Sequence, residues 1–148
     1  MYRMGQEEKD AVARVIDSKQ LFKVNDGPLK ETENCEREIR EMFNVKRAVL
    51  MTSGTASLTS ALIGMGVGPG DEVIVPAYTY TASASAAIHC GATVKFVDIQ
   101  KDGDPVTHMP EMDYDALEAA ITEKTKAIVT VDLGGIVCDY DRIYSIVE

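Results

Sequence analysis

Val12, Val15 and Ile16 recur at helical spacing within a charged stretch, so residues 6–18 are expected to form an amphipathic helix. Asn25-Asp26-Gly27-Pro28 interrupts that pattern as a turn cluster. A second helix is expected over residues 31–43, with Cys35, Ile39, Met42 and Phe43 on one face. The pattern then changes. Ala48-Val49-Leu50-Met51 is a short apolar run that reads as a strand, stopped by Ser53-Gly54. Residues 55–65 follow as a helix with Leu58, Ala61, Leu62 and Met65 as its apolar stripe. Gly68-Pro69-Gly70 is a turn, because proline fixes the first φ and glycine accepts the positive φ that follows.

Glu72-Val73-Ile74-Val75 reads as a second strand, ended by Pro76. Residues 81–90 form a helix of small side chains with Gly91 at its end. Further strands are expected at 93–99 and 126–131. Asp113 and Asp139 are placed to cap two more helices, one holding Tyr114, Leu117 and Ile121, the other Ile143, Ile146 and Val147. Continuously apolar strands separated by helices imply an α/β fold, a mostly parallel sheet with flanking helices. Residues 1–45 are read as an N-terminal helical segment and 46–148 as the sheet domain. Such sheets take ligands outside the carboxyl ends of their strands. The candidate site segments are therefore 52–56, 76–81, 98–101 and 132–135.

The 148 residues carry a formal net charge of −9, which argues against nucleic acid or an anionic membrane as partner. The one dense basic pair, Lys46-Arg47, is too short to change that. Cys35, Cys90 and Cys138 are odd in number and lack CxxC spacing. They read as buried free thiols in a reducing compartment rather than a disulfide or zinc framework. The start of the chain is polar, with no signal-peptide character, and no apolar run is long enough to span a bilayer. A cytoplasmic protein is expected.

Thr52-Ser53-Gly54-Thr55-Ala56 takes a strand through a glycine turn directly into a helix. That gathers backbone N–H groups, two hydroxyls and the positive end of a helix dipole, the means of holding a phosphate. It has neither the lysine of a P-loop nor GxGxxG spacing, and an ordinary Ser/Thr cap explains it equally well alone. Tyr78 and Tyr80 end the second strand, where a flat ring can stack on a flat ligand or simply pack. His89 and His108 have no partner at metal or triad spacing, and Asp98, Asp102 and Asp104 do not match a calcium loop.

Taken together, residues 51–58, 68–76 and 78–80, then 91–98, 121–128, Gly134-Gly135 and Cys138-Asp139, resemble in order and spacing the DegT/DnrJ/EryC1/StrS aminotransferases. The resemblance runs from about Leu21 to the end of the chain. It implies pyridoxal 5′-phosphate (PLP) as cofactor, with this chain forming the N-terminal part of the large domain of a fold type I enzyme. It also implies amination of a nucleotide-linked keto-sugar for cell-surface polysaccharide, with glutamate as donor, in a homodimer whose Asn25–Leu29 stretch (residues 25–29) reaches the partner's site. By the same resemblance Gly54, Thr55 and Ala56 hold the cofactor phosphate and Tyr80 stacks on its ring. Asp132 stands where the family usually has His and is assigned to the substrate pocket. The lysine that forms the Schiff base, and the acid that meets the pyridine nitrogen, are expected beyond Glu148, so no catalytic residue is assigned within this chain. Alternatives are a sugar dehydratase of the same family, in which His replaces that lysine, and a non-catalytic α/β interaction protein. An isolated chain is expected to expose sheet edges and apolar surface.

Overall fold

The computed structural model describes residues 4–24, 27–101 and 110–148. The expected turn residues Asn25 and Asp26, together with Asp102, Asp104 and His108, lie outside the described residues. The chain divides into two compact units, Met1–Leu50 and Met51–Glu148.

The first unit holds helix α1 (Gln6–Ser18) and helix α2 (Glu31–Phe43), both where the periodicity placed them. Each ends on a left-handed residue, Lys19 at φ 57° and Asn44 at φ 50°, whose N–H returns to a carbonyl of the last turn. No residue of either helix is buried. The apolar face expected on α2 is open: Met42 is 77% and Phe43 66% exposed, and Cys35 is exposed as well. The expectation of three buried thiols is thus corrected: Cys138 is buried, Cys90 is half-buried and Cys35 is exposed. The strand expected at 48–51 does not form. A strand exists only through a paired ladder, and no described strand pairs with this run. Instead the Leu50 N–H donates to Glu36 Oε1 at 2.8 Å.

In the second unit, helix α3 (Gly54–Gly64), strand β1 (Glu72–Pro76), helix α4 (Ala82–His89), strand β2 (Thr93–Val97), helix α5 (Tyr114–Ala120), strand β3 (Thr125–Ile128) and helix α6 (Tyr140–Val147) follow in order. The sheet runs β2-β1-β3 and both pairings are parallel, as the apolar runs imply. β2 ends at Val97, short of Ile99, which instead forms an isolated antiparallel bridge with Met112. β3 ends at Ile128 rather than Val131, after a bulge that skips Lys126 between its pairings with Glu72 and Val73.

The central strand is the dry one: Val73, Ile74 and Val75 are fully buried. Its two faces feed two cores. Val73 and Val75 join Leu62 of α3 and Ala86 and Ala87 of α4. Ile74 joins Val97, Met112, Tyr114, Leu117, Cys138 and Ile143. Burying a leucine-sized side chain contributes about 1.5–3 kcal/mol, so these two clusters hold the unit together. The stripe expected on α3 is narrower than read. Leu62 is buried and Leu58 packs beside it, whereas Ala61 and Met65 face out. Gly91, at φ +79° with Pro69 against it, lets the chain turn from α4 into β2. The strands β2 and β3 are both open edges of the described sheet.

Candidate cofactor site at the carboxyl ends of the strands

Ser53 is the N-cap of α3 in extended backbone, and its hydroxyl accepts from the Ala56 N–H at 3.1 Å. The cap fixes where the helix starts and which donors remain. Ala56 N–H is already engaged. The N–H groups of Gly54 and Thr55 lie in the first turn, where no intrahelical carbonyl can reach them. Gly54 is exposed, and a Cβ built on it meets nothing within 4 Å. The turn thus leaves two backbone donors and the Thr55 hydroxyl open beside the positive end of an eleven-residue helix. That donor set is chemically suited to a phosphate. It differs from the sequence expectation in one respect: Ala56 contributes a donor only if Ser53 gives way.

Beyond β1 the chain is held by Ala77 N–H, which donates to Val97 O at 2.8 Å. Thr79 Oγ1 and Ser83 Oγ share a hydrogen bond of 2.9 Å, and Ser83 N–H donates to Tyr80 O. These contacts pin the loop to the start of α4 while leaving the Tyr80 ring 79% exposed. Tyr78 is 57% exposed, so neither ring is spent on the core. A flat, anchored, solvent-facing phenol at a strand's carboxyl end suits stacking on a planar ring. The helices that carry the turn and the tyrosine, α3 and α4, pack on each other through Leu62, Ala86 and Ala87.

Asp132 follows β3, the strand that pairs in parallel with β1. Its Oδ1 accepts from Cys138 N–H at 3.0 Å, and Tyr140 Oη lies 3.4 Å from each carboxylate oxygen. Thr130 Oγ1 is 3.3 Å from the same phenol. The backbone hydrogen bond from Cys138 holds the Asp132 carboxyl below the usual range. The loop that brings Cys138 and Tyr140 back turns through Gly134 at φ 63° and Gly135 at φ 87°. Sequence reasoning named Asp132 but missed Thr130 and Tyr140. The signal was the Gly-Gly pair, which permits a return that apolar periodicity does not report. The buried thiol of Cys138 donates to Val131 O at 3.5 Å, and burial pushes its pKa up.

Tyr114 opens α5 and reaches Asp139, the N-cap of α6. Its hydroxyl donates to Glu111 and accepts from Asp139 N–H at 2.7 Å. Burial raises the phenol's pKa, and the Glu111 carboxylate adds to that. Asp113 and Asp139 cap the two helices as their positions predict. His89 is exposed at the end of α4. Among the described residues no group of His, Cys, Asp and Glu is arranged to hold a metal ion, and no helix is long and apolar enough to cross a membrane.

Comparison with known proteins bears on the same arrangement. The chain is 40% identical over 144 residues to the GDP-perosamine synthase of Caulobacter vibrioides, covering 97% of this chain and 36% of that protein. It is 38% identical to the spore coat polysaccharide biosynthesis protein SpsC of Bacillus subtilis, covering 98% of this chain and 34% of that protein. The chain therefore spans about a third of the length of the curated relatives it matches. Among solved structures, the aminotransferase from Psychrobacter cryohalolentis superposes with a TM-score of 0.82 at 37% identity, over 97% of this chain and 34% of that one. Spr1654 of Streptococcus pneumoniae, described as a sugar aminotransferase and solved in PLP and PMP forms, gives 0.79 at 46% identity, again over 97% of this chain and 34% of that one. The three-stranded parallel sheet and its helices are thus part of the PLP fold type I large domain. The profile of the DegT/DnrJ/EryC1/StrS aminotransferase family matches residues 2–148, and the chain belongs to that family.

Proposed function

We propose that this chain supplies the phosphate and ring-stacking part of the PLP site in an enzyme that moves an amino group from an amino acid, by preference glutamate, to a nucleotide-linked keto-sugar. The observation that carries the reading is the capped turn before α3, with Gly54 N–H, Thr55 N–H and the Thr55 hydroxyl open, in a chain of this family. PLP, when bound, supplies the electron sink for bond breaking at the amino-bearing carbon. Gly54 and Thr55 anchor its phosphate through charge-assisted hydrogen bonds, each contributing about 1.5–3 kcal/mol. Tyr80 covers one face of the ring and excludes water from it. Asp132, kept ionised by Cys138 N–H, presents a carboxylate to the acceptor's hydroxyls. The homodimer and the cytoplasmic setting belong to the same reading, as does the division into a helical segment (1–45) and a partial cofactor domain (46–148).

An L-glutamine:2-deoxy-scyllo-inosose aminotransferase of Streptomyces kanamyceticus is 41% identical over 143 residues, covering 94% of this chain and 32% of that protein, so glutamine belongs in the assay beside glutamate. A second reading, sugar dehydration, is favoured by likeness to the Escherichia coli GDP-4-keto-6-deoxy-D-mannose-3-dehydratase, with a TM-score of 0.80 at 28% identity over 99% of this chain and 36% of that one. The test is to express the whole reading frame that contains this chain. It is then supplied with PLP, ¹⁵N-labelled glutamate or glutamine, and a nucleotide 4-keto-6-deoxyhexose. Incorporation of ¹⁵N into the sugar is expected. Loss of water from the sugar without ¹⁵N moves the protein to the dehydratases. Absence of any bound-cofactor absorbance ends both readings.

A further inference from the structure

Among the described residues one serine, threonine, amide or charged side chain is buried outright: Ser83, at 6% exposure. It is the second residue of α4. A buried hydroxyl costs stability unless it is hydrogen-bonded, so its partner decides what it does. That partner is Thr79, whose Oγ1 lies 2.9 Å from Ser83 Oγ. The Ser83 hydroxyl makes no other hydrogen bond among the described residues. Its proton therefore goes to Thr79 Oγ1, since the reverse direction leaves a buried O–H without an acceptor. The N–H of the same residue donates to Tyr80 O at 3.0 Å. Tyr80 is thus tied on both sides to Ser83: through the side chain of the residue before it, and through its own carbonyl.

The usual devices that fix a helix start are absent from α4. Its N-cap, Thr81, makes no side-chain cap hydrogen bond, and no acid stands in the first turn. The helices α3, α5 and α6 are each capped by a side chain. One turn beyond Ser83, Ala86 and Ala87 are fully buried in the core shared with β1. The Tyr80 ring is exposed and gains no orientation from packing. What the core contributes to its aim arrives through Ser83.

We propose that Thr79 and Ser83 are positioning residues for the cofactor ring, acting through the backbone of Tyr80. The assignment rests on the cofactor reading above and deepens it: the phosphate is held by the turn before α3, and the ring plane is set by the hydroxyl pair. Neither hydroxyl needs to touch the cofactor for this.

The test adds pyridoxine 5′-phosphate, whose alcohol forms no imine with surface lysines, to the ¹⁵N-labelled chain. Thr79→Val keeps the shape and removes the acceptor. Thr79→Ser keeps the acceptor. Ser83→Ala removes the donor and puts a better helix former in α4, so the helix is retained. Three readouts are compared: ¹⁵N relaxation of the Tyr80 and Thr81 amides without ligand, the ³¹P resonance, and circular dichroism of the bound ring above the tyrosine absorption. In Thr79→Val and Ser83→Ala the two amides should gain fast motion and the ring dichroism per bound ligand should be lost. The ³¹P response should persist, with affinity weakened about fivefold, the equivalent of one neutral hydrogen bond. Thr79→Ser should restore all three. Ser85→Ala, whose hydroxyl turns back to Ala82 O within α4, should change none. A ³¹P response in the parent with Tyr80 equally ordered, or ring dichroism equally strong, in Thr79→Val and Ser83→Ala would overturn this proposal and leave the cofactor reading standing. So would Thr79→Ser behaving as Thr79→Val does. A parent whose ³¹P resonance never responds would sink the cofactor reading and the positioning role with it.

Discussion

At Asp132 the folded and unfolded chains differ in what the carboxylate touches. Folded, it accepts from Cys138 N–H and faces the Tyr140 phenol, and its pKa is lowered. A depressed pKa contributes stability that is present above the unfolded value of about 3.9 and is lost as pH falls through the folded value. Asp132→Asn keeps an acceptor for Cys138 N–H but removes the titration. Urea midpoints measured from pH 6 down to pH 2.5 should therefore fall less steeply in the variant than in the parent. Parallel curves would mean the carboxylate contributes nothing to folding. Tyr114→Phe is a second residue-scale case, because it leaves Asp139 N–H and Glu111 without the buried hydroxyl that joins them. A loss of about 1–2 kcal/mol is expected from urea unfolding, and an unchanged midpoint would mean that the Tyr114 hydroxyl contributes nothing to folding. Asp132 was identifiable from its place after an apolar run. Its partners were not, because they arrive through Gly134 and Gly135, whose positive φ reverses the chain where no hydrophobic period records it.

The bounds of α1 and α2 were legible to the residue although neither helix buries anything, whereas β2 and β3 end at Val97 and Ile128, short of the expected 99 and 131. Tyr114 and Leu117 on α5 and Ile143 on α6 are buried as their spacing requires. α1 and α2 show the same periodicity and bury nothing. Periodicity reports that a face can be covered, not that a cover is present. The run at 48–51 fails for a related reason: apolar residues mark a strand only when a neighbour supplies hydrogen bonds, and that neighbour's position is not written in the run itself. Substitutions should separate the two kinds of element. Leu117→Ala, at a fully buried site, is expected to cost about 2–5 kcal/mol. Ile16→Ser, at a site 61% exposed, should change stability by no more than about 0.5 kcal/mol. Equal costs would show that α1 is covered in solution.

For the whole molecule, two consequences follow from the division into units and from the exposed apolar side chains. Hydrogen exchange should release the amides of α1 and α2 well before those of β1, whose three central residues are fully buried. Simultaneous exchange would mean that the units open together. Phe22, Phe43, Phe96 and Tyr144 are all more than 60% exposed, and β2 and β3 have open edges. The chain is therefore expected to self-associate as its concentration rises, and a monomer by sedimentation equilibrium across that range would contradict this. The α/β class and the parallel order were legible from the alternation of apolar runs and helices.

The central claim is that the turn before α3 holds the phosphate of PLP through backbone N–H groups, and Gly54 offers a direct test. It is the first helical residue, follows a Ser53 in extended backbone, and has open space where a ring would grow. Proline is therefore tolerated there while the donor is removed. PLP should be titrated into the chain and followed by ³¹P NMR, with Gly54→Pro and Thr55→Val beside the parent. The account predicts saturable broadening and shift of the phosphate resonance in the parent. It predicts at least a tenfold weaker affinity in Gly54→Pro with helicity unchanged by circular dichroism, and a smaller loss in Thr55→Val. Equal affinity in the parent and Gly54→Pro, or a phosphate resonance that never responds to the parent chain, would contradict it.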